Sequence, residues 1–448
     1  MGASTTFKVI IAGAGPVGLL MAHALSRAGV DFVVLEEQDE VVRHAGAGIA
    51  LMPGLVRILD QIGVLEHIKR QVFLRNKMDL VTNGTVLQQW PLFDLVAEAF
   101  GYRIIQTSRK DVIEALFTTL PGHSERVKTA SKVSKVDLRD DGVTVHLANG
   151  ATVDGSILIG CDGVHSRTRQ IMQQLREEAG GSAAVDDDAT VMERRFAGIY
   201  GRVDNPVGIA PGFFYESREA GFLMQMSVGD DVLWYVLLRH QLPSPGRTRY
   251  TAEECDEFAK ALAHLQIAPL GLTFGDIWAR TDKETAVLVD QQQGCAEKWH
   301  HGGRIVLVGD SQLKVTSESG AGFMAGAYSA VQLANELQDL LSKQSGPGQP
   351  SASDLDAAFA RYQVARMPAS KAMLESDIAR LDQSMWGSWK GWLMDRWVVR
   401  MPWVDMAKIF KTRAIPRMAG APVLRYVPFE GKSGTAEWQI KVPRVEAL

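Results

Sequence analysis

The sequence predicts an α/β protein, built on a parallel sheet, interrupted by a mainly antiparallel β-sheet domain and closed by a helical C-terminal segment. Three observations predict it. Short, largely apolar runs at 7–12, 31–36, 156–160 and 304–308 read as strands buried on both faces of a parallel sheet. Turn signals at Asp140-Asp141-Gly142, Asn149-Gly150 and Gly229-Asp230-Asp231 separate β-rich segments, the mark of antiparallel hairpins. The chain has 448 residues, more than one hydrophobic core usually serves.

Composition narrows the class. Hydrophobic residues make up 46% and charged residues 22%, an ordinary mix for a soluble globular enzyme. Lys and Arg number 48 against 52 Asp and Glu, and a net charge of −4 argues against a nucleic-acid partner. Cys161, Cys255 and Cys295 are too scattered for a disulfide framework or a Cys-based metal site, which points to a reducing, cytoplasmic setting and to no metal. No run reaches the roughly 18 apolar residues of a spanning helix. Forty-two glycines exceed the usual share of about 7%, so their positions matter.

The first elements in order are a strand at 7–12, a helix at 18–28 ended by Gly29, and a strand at 31–36. Between the first two stands Gly13-Ala14-Gly15-Pro16-Val17-Gly18, a G-x-G-x-x-G spacing. Gly13 permits the tight turn, Gly15 lets a pyrophosphate approach the backbone, and Gly18 lets helix pack on strand. The helix N-terminus offers free N–H groups to that anion. Glu36 ends the next strand, eighteen residues beyond Gly18, where a carboxylate can bind an adenosine ribose. The reading is a Rossmann-like dinucleotide site, and the spacing alone leaves FAD and NAD open.

Further motifs decide between them by resemblance. Cys161-Asp162-Gly163-Val164-His165-Ser166-Arg167-Thr168-Arg169 resembles the D-G-x-x-S-x-x-R motif of the para-hydroxybenzoate hydroxylase-like FAD monooxygenases. Gly309-Asp310 resembles that family's third motif, whose Asp holds the ribityl chain of FAD. Arg109 resembles its FAD-contacting arginine, and Arg43 with Gly48 its flavin-contact stretch. Together these motifs span about residues 7–335, and the finer texture is similar to fungal secondary-metabolite monooxygenases. The resemblance implies FAD as cofactor, NAD(P)H and O2 as co-substrates, and a flavin C4a-hydroperoxide. The implied reaction is hydroxylation or epoxidation of a hydrophobic polycyclic small molecule, a terpenoid or an indole.

The third motif departs from the family pattern. Leu313 stands at its His position, Ser317 at its Pro position and Met324 at its Asn position. Gly320 and Gly322 remain, so backbone N–H groups at the next helix start can face the flavin. The departures are drift in a tolerant loop or a sign of altered chemistry, such as a dehydrogenase or cyclase on a retained flavin fold. A non-catalytic FAD-binding protein is the third alternative.

The expected organisation is an FAD domain in three parts (1–74, 101–184, 290–345), a substrate-domain excursion at 75–100, a substrate domain at 185–289, and a linker with helical segment at 346–448. In the substrate domain Arg194 and Arg195 are the catalytic candidates, one guanidinium entering the pocket to stabilise an anion. Both also suit an ordinary charged strand. Tyr200, Tyr215 and Tyr235 are equally ambiguous. The tail holds Trp386, Trp389, Trp392, Trp397 and Trp403 among basic residues. Such a segment either caps the catalytic domains with its rings or touches a membrane interface peripherally.

Overall fold

A computed structural model describes residues 7–43, 48–69, 72–73, 78–180, 192–204, 209–241, 249–269, 271–344, 349–401 and 403–442. The apolar runs build a six-stranded sheet ordered His300–His301, Ile305–Leu307, Ile157–Gly160, Lys8–Ala12, Asp31–Leu35, Val127–Lys128. All its pairings are parallel except that of His300–His301. Val9, Ile10 and Ile11 are fully buried, as two-sided cover of a parallel sheet requires. The helices Pro16–Arg27 and Gly322–Ser342 pack on one face. The other face carries an antiparallel meander of Val133–Arg139, Gly142–Leu147 and Thr152–Gly155.

A second sheet has eight strands, ordered Leu313–Lys314, Val287–Cys295, Glu193–Asp204, Val232–His240, Phe222–Val228, Phe214–Glu219, Met78–Thr82, Thr85–Trp90. Only Phe214–Glu219 and Met78–Thr82 pair in parallel. The two-residue strand Leu313–Lys314 pairs with Gly294 and Cys295, so the loop after the last parallel strand is stitched onto this second sheet. Short helices Ala252–Ala261 and Phe274–Arg280 cover its outer face, each begun by a Thr capping box.

The start of the segment 346–448 reads in sequence as linker. The helix Ala352–Ser384 instead starts inside it, because Ser351 and Asp354 form a capping box. This 33-residue helix buries Leu355, Phe359 and Tyr362 against the first core and sends Asp377 and Arg380 toward the second sheet. Residues 421–441 then strap the parallel-sheet domain. Gln61 hydrogen-bonds the backbone of Leu424 and Val427, and Arg57 lies 4.4 Å over the Trp438 ring while donating to the carbonyl of Ile440.

One buried charge cluster joins sheet to tail. Arg218 pairs with Glu216 beside it on the strand and with Asp395 of the helix Trp389–Arg396, all three buried. Arg380 reaches Glu216 at 3.3 Å and pairs with Glu318. Burial pushes the Glu216 carboxyl up, but Arg218 and Arg380 outweigh it and hold the pKa at about 2, against an ordinary 4.5.

Arg218→Met leaves Asp395 without its ion pair and Glu216 with Arg380 alone, so unfolding in urea should show a loss of roughly 3–5 kcal/mol; a change within experimental error would contradict the assignment. Because the folded-state pKa of Glu216 is depressed, its contribution is complete above pH 4.5 and is lost as pH falls towards 2. Glu216→Gln should therefore flatten the acid limb of a stability–pH curve in that window. An unchanged slope would count against the ionised carboxylate.

Candidate active site

The glycine loop follows from close approach. Gly13 adopts φ +101°, donates its N–H to the carbonyl of Leu35 at 2.7 Å, and a Cβ on it would lie 2.6 Å from the carbonyl oxygen of Cys161. A Cβ on Gly18 would sit 2.0 Å from the carbonyl oxygen of Gly13, so only glycine lets this helix meet this strand. Gly15 caps the helix and faces open space, with Arg109 Nη2 the nearest group at 3.9 Å. That is where an anion can meet the helix N-terminus. Glu36 turns one carboxylate oxygen to the N–H of Ala14 (2.8 Å) and the other to the N–H of Gln38 (3.1 Å).

Two more strand-end loops converge here. Asp162 accepts hydrogen bonds from Ser166 Oγ (2.5 Å) and from the N–H and Oγ1 of Thr168 (both 2.8 Å). Its carboxylate therefore shapes the turn into the helix Arg167–Glu178. Arg169 on that helix is buried and donates to the carbonyls of Val164 and Ser311, each at 2.8 Å. Asp310, one residue before Ser311, receives Lys314 Nζ at 2.7 Å.

Two cavities meet around these loops. One, of 460 Å3, is bordered by Glu36, Arg43, Asp162 and the glycine loop. The other, of 410 Å3, is bordered by Gly48, Asp310, Gly320, Gly322 and the second sheet. Gly15, Arg109, Cys161 and Gly163 border both, so the cavities form one trough with Arg109 at its neck. Arg109 stays exposed, with its guanidinium facing the trough, and forms no ion pair among the described residues. Desolvation lowers its pKa, and Asp310 and Glu36 oppose that while Arg43 adds to it. An unpaired cation beside a helix N-terminus suits a pyrophosphate, and the long trough suits an extended dinucleotide. The residues present fit FAD, since Glu36 stands at one end of the trough and Gly48, Asp310, Gly320 and Gly322 at the other.

The 410 Å3 cavity has apolar walls, Trp90, Phe93, Phe214 and Trp234 among them, and its polar lining includes a cluster of Glu216, Gln225, Glu318 and Arg380. The departing third motif is firmly held. Thr316 bonds Asp377, and Ser317 donates from N–H (3.2 Å) and Oγ (2.7 Å) to Gln291 Oε1 and bonds the Tyr200 hydroxyl. Glu318 pairs with Arg380. Leu313 is buried with Val315, Ala321 and Ala325. Hydrogen bonds thus do at Ser317 what a proline ring does by constraint.

The arginine pair expected in the pocket goes elsewhere. A register shift between Arg194 and Phe196 turns Arg194 to a buried ion pair with Asp290 at 2.6 Å, beside a third cavity that shares His165 and Arg249 with the 460 Å3 one. Arg195 pairs with Glu193 near solvent. Neither borders the 410 Å3 cavity. Sequence reasoning missed Glu216, Glu318, Arg380 and Trp234. Only the Glu216/Arg218 alternation, which puts both on one strand face, carried a signal.

Comparison with known proteins agrees with this geometry. The FAD binding domain family matches residues 6–351. The FAD-dependent monooxygenase srdH of Neurospora crassa is 37% identical over 454 residues, covering 98% of this chain and 99% of its own. This chain belongs to the FAD-dependent monooxygenases. A second relative of this monooxygenase, cdmI of Talaromyces verruculosus, carries the same description and is 29% identical over 97% of this chain and 89% of its own. Among solved structures, Klebsiella pneumoniae HpxO complexed with FAD and uric acid superposes with a TM-score of 0.74, at 19% identity over 92% of this chain and 96% of that one. At that identity the match speaks for the fold of the monooxygenase.

Removing the Asp310 carboxylate (Asp310→Ala) should yield largely colourless protein on purification, and a full flavin absorbance would refute its role. Arg109→Met removes the cation at the neck of the trough and should raise the FAD dissociation constant about 10- to 100-fold in a fluorescence titration. An unchanged constant would take Arg109 out of the site.

Proposed function

We propose that this monooxygenase uses NAD(P)H and O2 to hydroxylate or epoxidise a hydrophobic polycyclic secondary metabolite, a terpenoid or an indole. The observation that carries the reading is the cavity of 410 Å3, aromatic on its walls and continuous with the dinucleotide trough. FAD, when bound, supplies the redox chemistry that takes hydride from the nicotinamide and delivers one atom of O2 to substrate.

The chain's own residues bind, orient and exclude water. Trp90, Phe93, Phe214 and Trp234 offer flat apolar contact to a fused-ring skeleton. Arg380 and Gln225, tied to Glu216 and Glu318, give one polar anchor for a hydroxyl or carbonyl on that skeleton. Burial raises the Tyr200 phenol well above its ordinary pKa against the opposing Gln291 contact, so it stays protonated and donates at Ser317. The N–H groups that open the helix Gly322–Ser342 lie at the cavity wall, where they favour negative charge on a bound ring system.

Holoenzyme turned over with NADPH, isotopically labelled O2 and a panel of prenylated indoles and terpenoids should give a product heavier by one labelled oxygen. Conversion without label would mean the dehydrogenase or cyclase chemistry that Leu313, Ser317 and Met324 leave open. No NAD(P)H oxidation with any member would leave only FAD binding.

A further inference from the structure

We infer that the helix Trp389–Arg396 and the residues after it, to about 417, form a platform that docks on an anionic lipid bilayer. Within the helix, Gly391 and Asp395 are buried toward the body of the protein. Trp389, Trp392 and Leu393 follow the i, i+3, i+4 spacing of one helical stripe, opposite the buried pair, and Trp397 caps the helix end. The amphipathic order is therefore inverted, with apolar side chains in solvent. Trp389 is 70% exposed, Trp392 42%, Trp397 59% and Trp403 75%. Of the ten exposed large hydrophobic residues among those described, seven lie between Trp389 and Ile409. These four rings face solvent rather than the catalytic domains.

Charge selects the occupant. Residues 386–417 contain Lys390, Arg396, Arg400, Lys408, Lys411, Arg413 and Arg417 against Asp395 and Asp405, a net of +5. Asp395 is moreover neutralised by buried Arg218, and Asp405 is spent capping the helix Met406–Ile409. Indole rings interleaved with exposed cations match the boundary between acyl chains and anionic headgroups. No helix among the described residues is long and apolar enough to cross a membrane, so the segment lies on the surface. The platform is fixed to the cavity wall through Asp395, Arg218 and Glu216, and Trp386 Nε1 adds a hydrogen bond to Asp395 at 3.0 Å. Docking there holds the apolar cavity close to a bilayer.

Flotation of the FAD-loaded full chain with phosphatidylcholine–phosphatidylserine vesicles, and with phosphatidylcholine alone, tests this. The wild type should float with the anionic vesicles, with a blue-shifted tryptophan emission and at least about tenfold weaker partition to the neutral ones. The combined variant Trp389→Ser, Trp392→Ser, Trp397→Ser, Trp403→Ser should keep its FAD content and lose the flotation about tenfold or more. A wild type that stays with the soluble fraction overturns the proposal, as does a variant that floats equally well. Self-association through this face, shown by a wild-type dimer and a monomeric variant with no vesicle binding, overturns it too.

Discussion

The structure turns on the buried guanidinium of Arg169. It leaves the helix that follows Asp162 and donates both to the carbonyl of Val164, in its own loop, and to that of Ser311, beside Asp310. Those loops follow adjacent parallel strands, Ile157–Gly160 and Ile305–Leu307. A third loop, the glycine turn after Lys8–Ala12, is pressed on the first, since Gly13 has no room for a Cβ beside Cys161. Three strand ends are thus locked into one rim. A rim of strand carboxyl ends is where open α/β sheets hold ligands, and the trough runs along it.

The second constraint acts across domains. The loop from Leu313 to Gly322 belongs by sequence to the parallel-sheet domain, yet Leu313–Lys314 pairs with the second sheet. Thr316, Ser317 and Glu318 are each anchored, to Asp377, Gln291 and Arg380 in turn. Two of those anchors come from the helix Ala352–Ser384. The C-terminal third is therefore part of the cavity rather than an appendage. The same helix-to-sheet charge cluster holds the tryptophan platform, so surface, cavity wall and flavin loop share one set of ion pairs.

The parts of the site legible in the sequence are those whose cause is local. Gly13, Gly15, Gly18 and Glu36 lie within a single βαβ unit, and Asp162 through Arg169 within one turn and helix. Hairpins such as Phe222–Val228 with Val232–His240 follow from a turn signal between alternating strands. What pairs across long separations was not legible. Arg380 meets Glu216 from 164 residues away, and Arg194 finds Asp290 96 residues downstream, where no pattern points. The start of the long helix was obscured because Ser351 and Asp354 look like linker until seen as a cap. The tryptophans were visible as composition, but only Asp395, buried on Arg218, sets which way their helix turns.

We propose that one trough holds FAD from Glu36 to the aromatic cavity, past Arg109. A crystal structure of the holoenzyme decides this. The adenosine is expected beside Glu36, the pyrophosphate at Gly15 and Arg109, and the flavin ring between Gly48 and Gly320. A flavin ring seated outside the cavity bordered by Trp234 and Tyr200, or a pyrophosphate out of reach of Arg109, would contradict it.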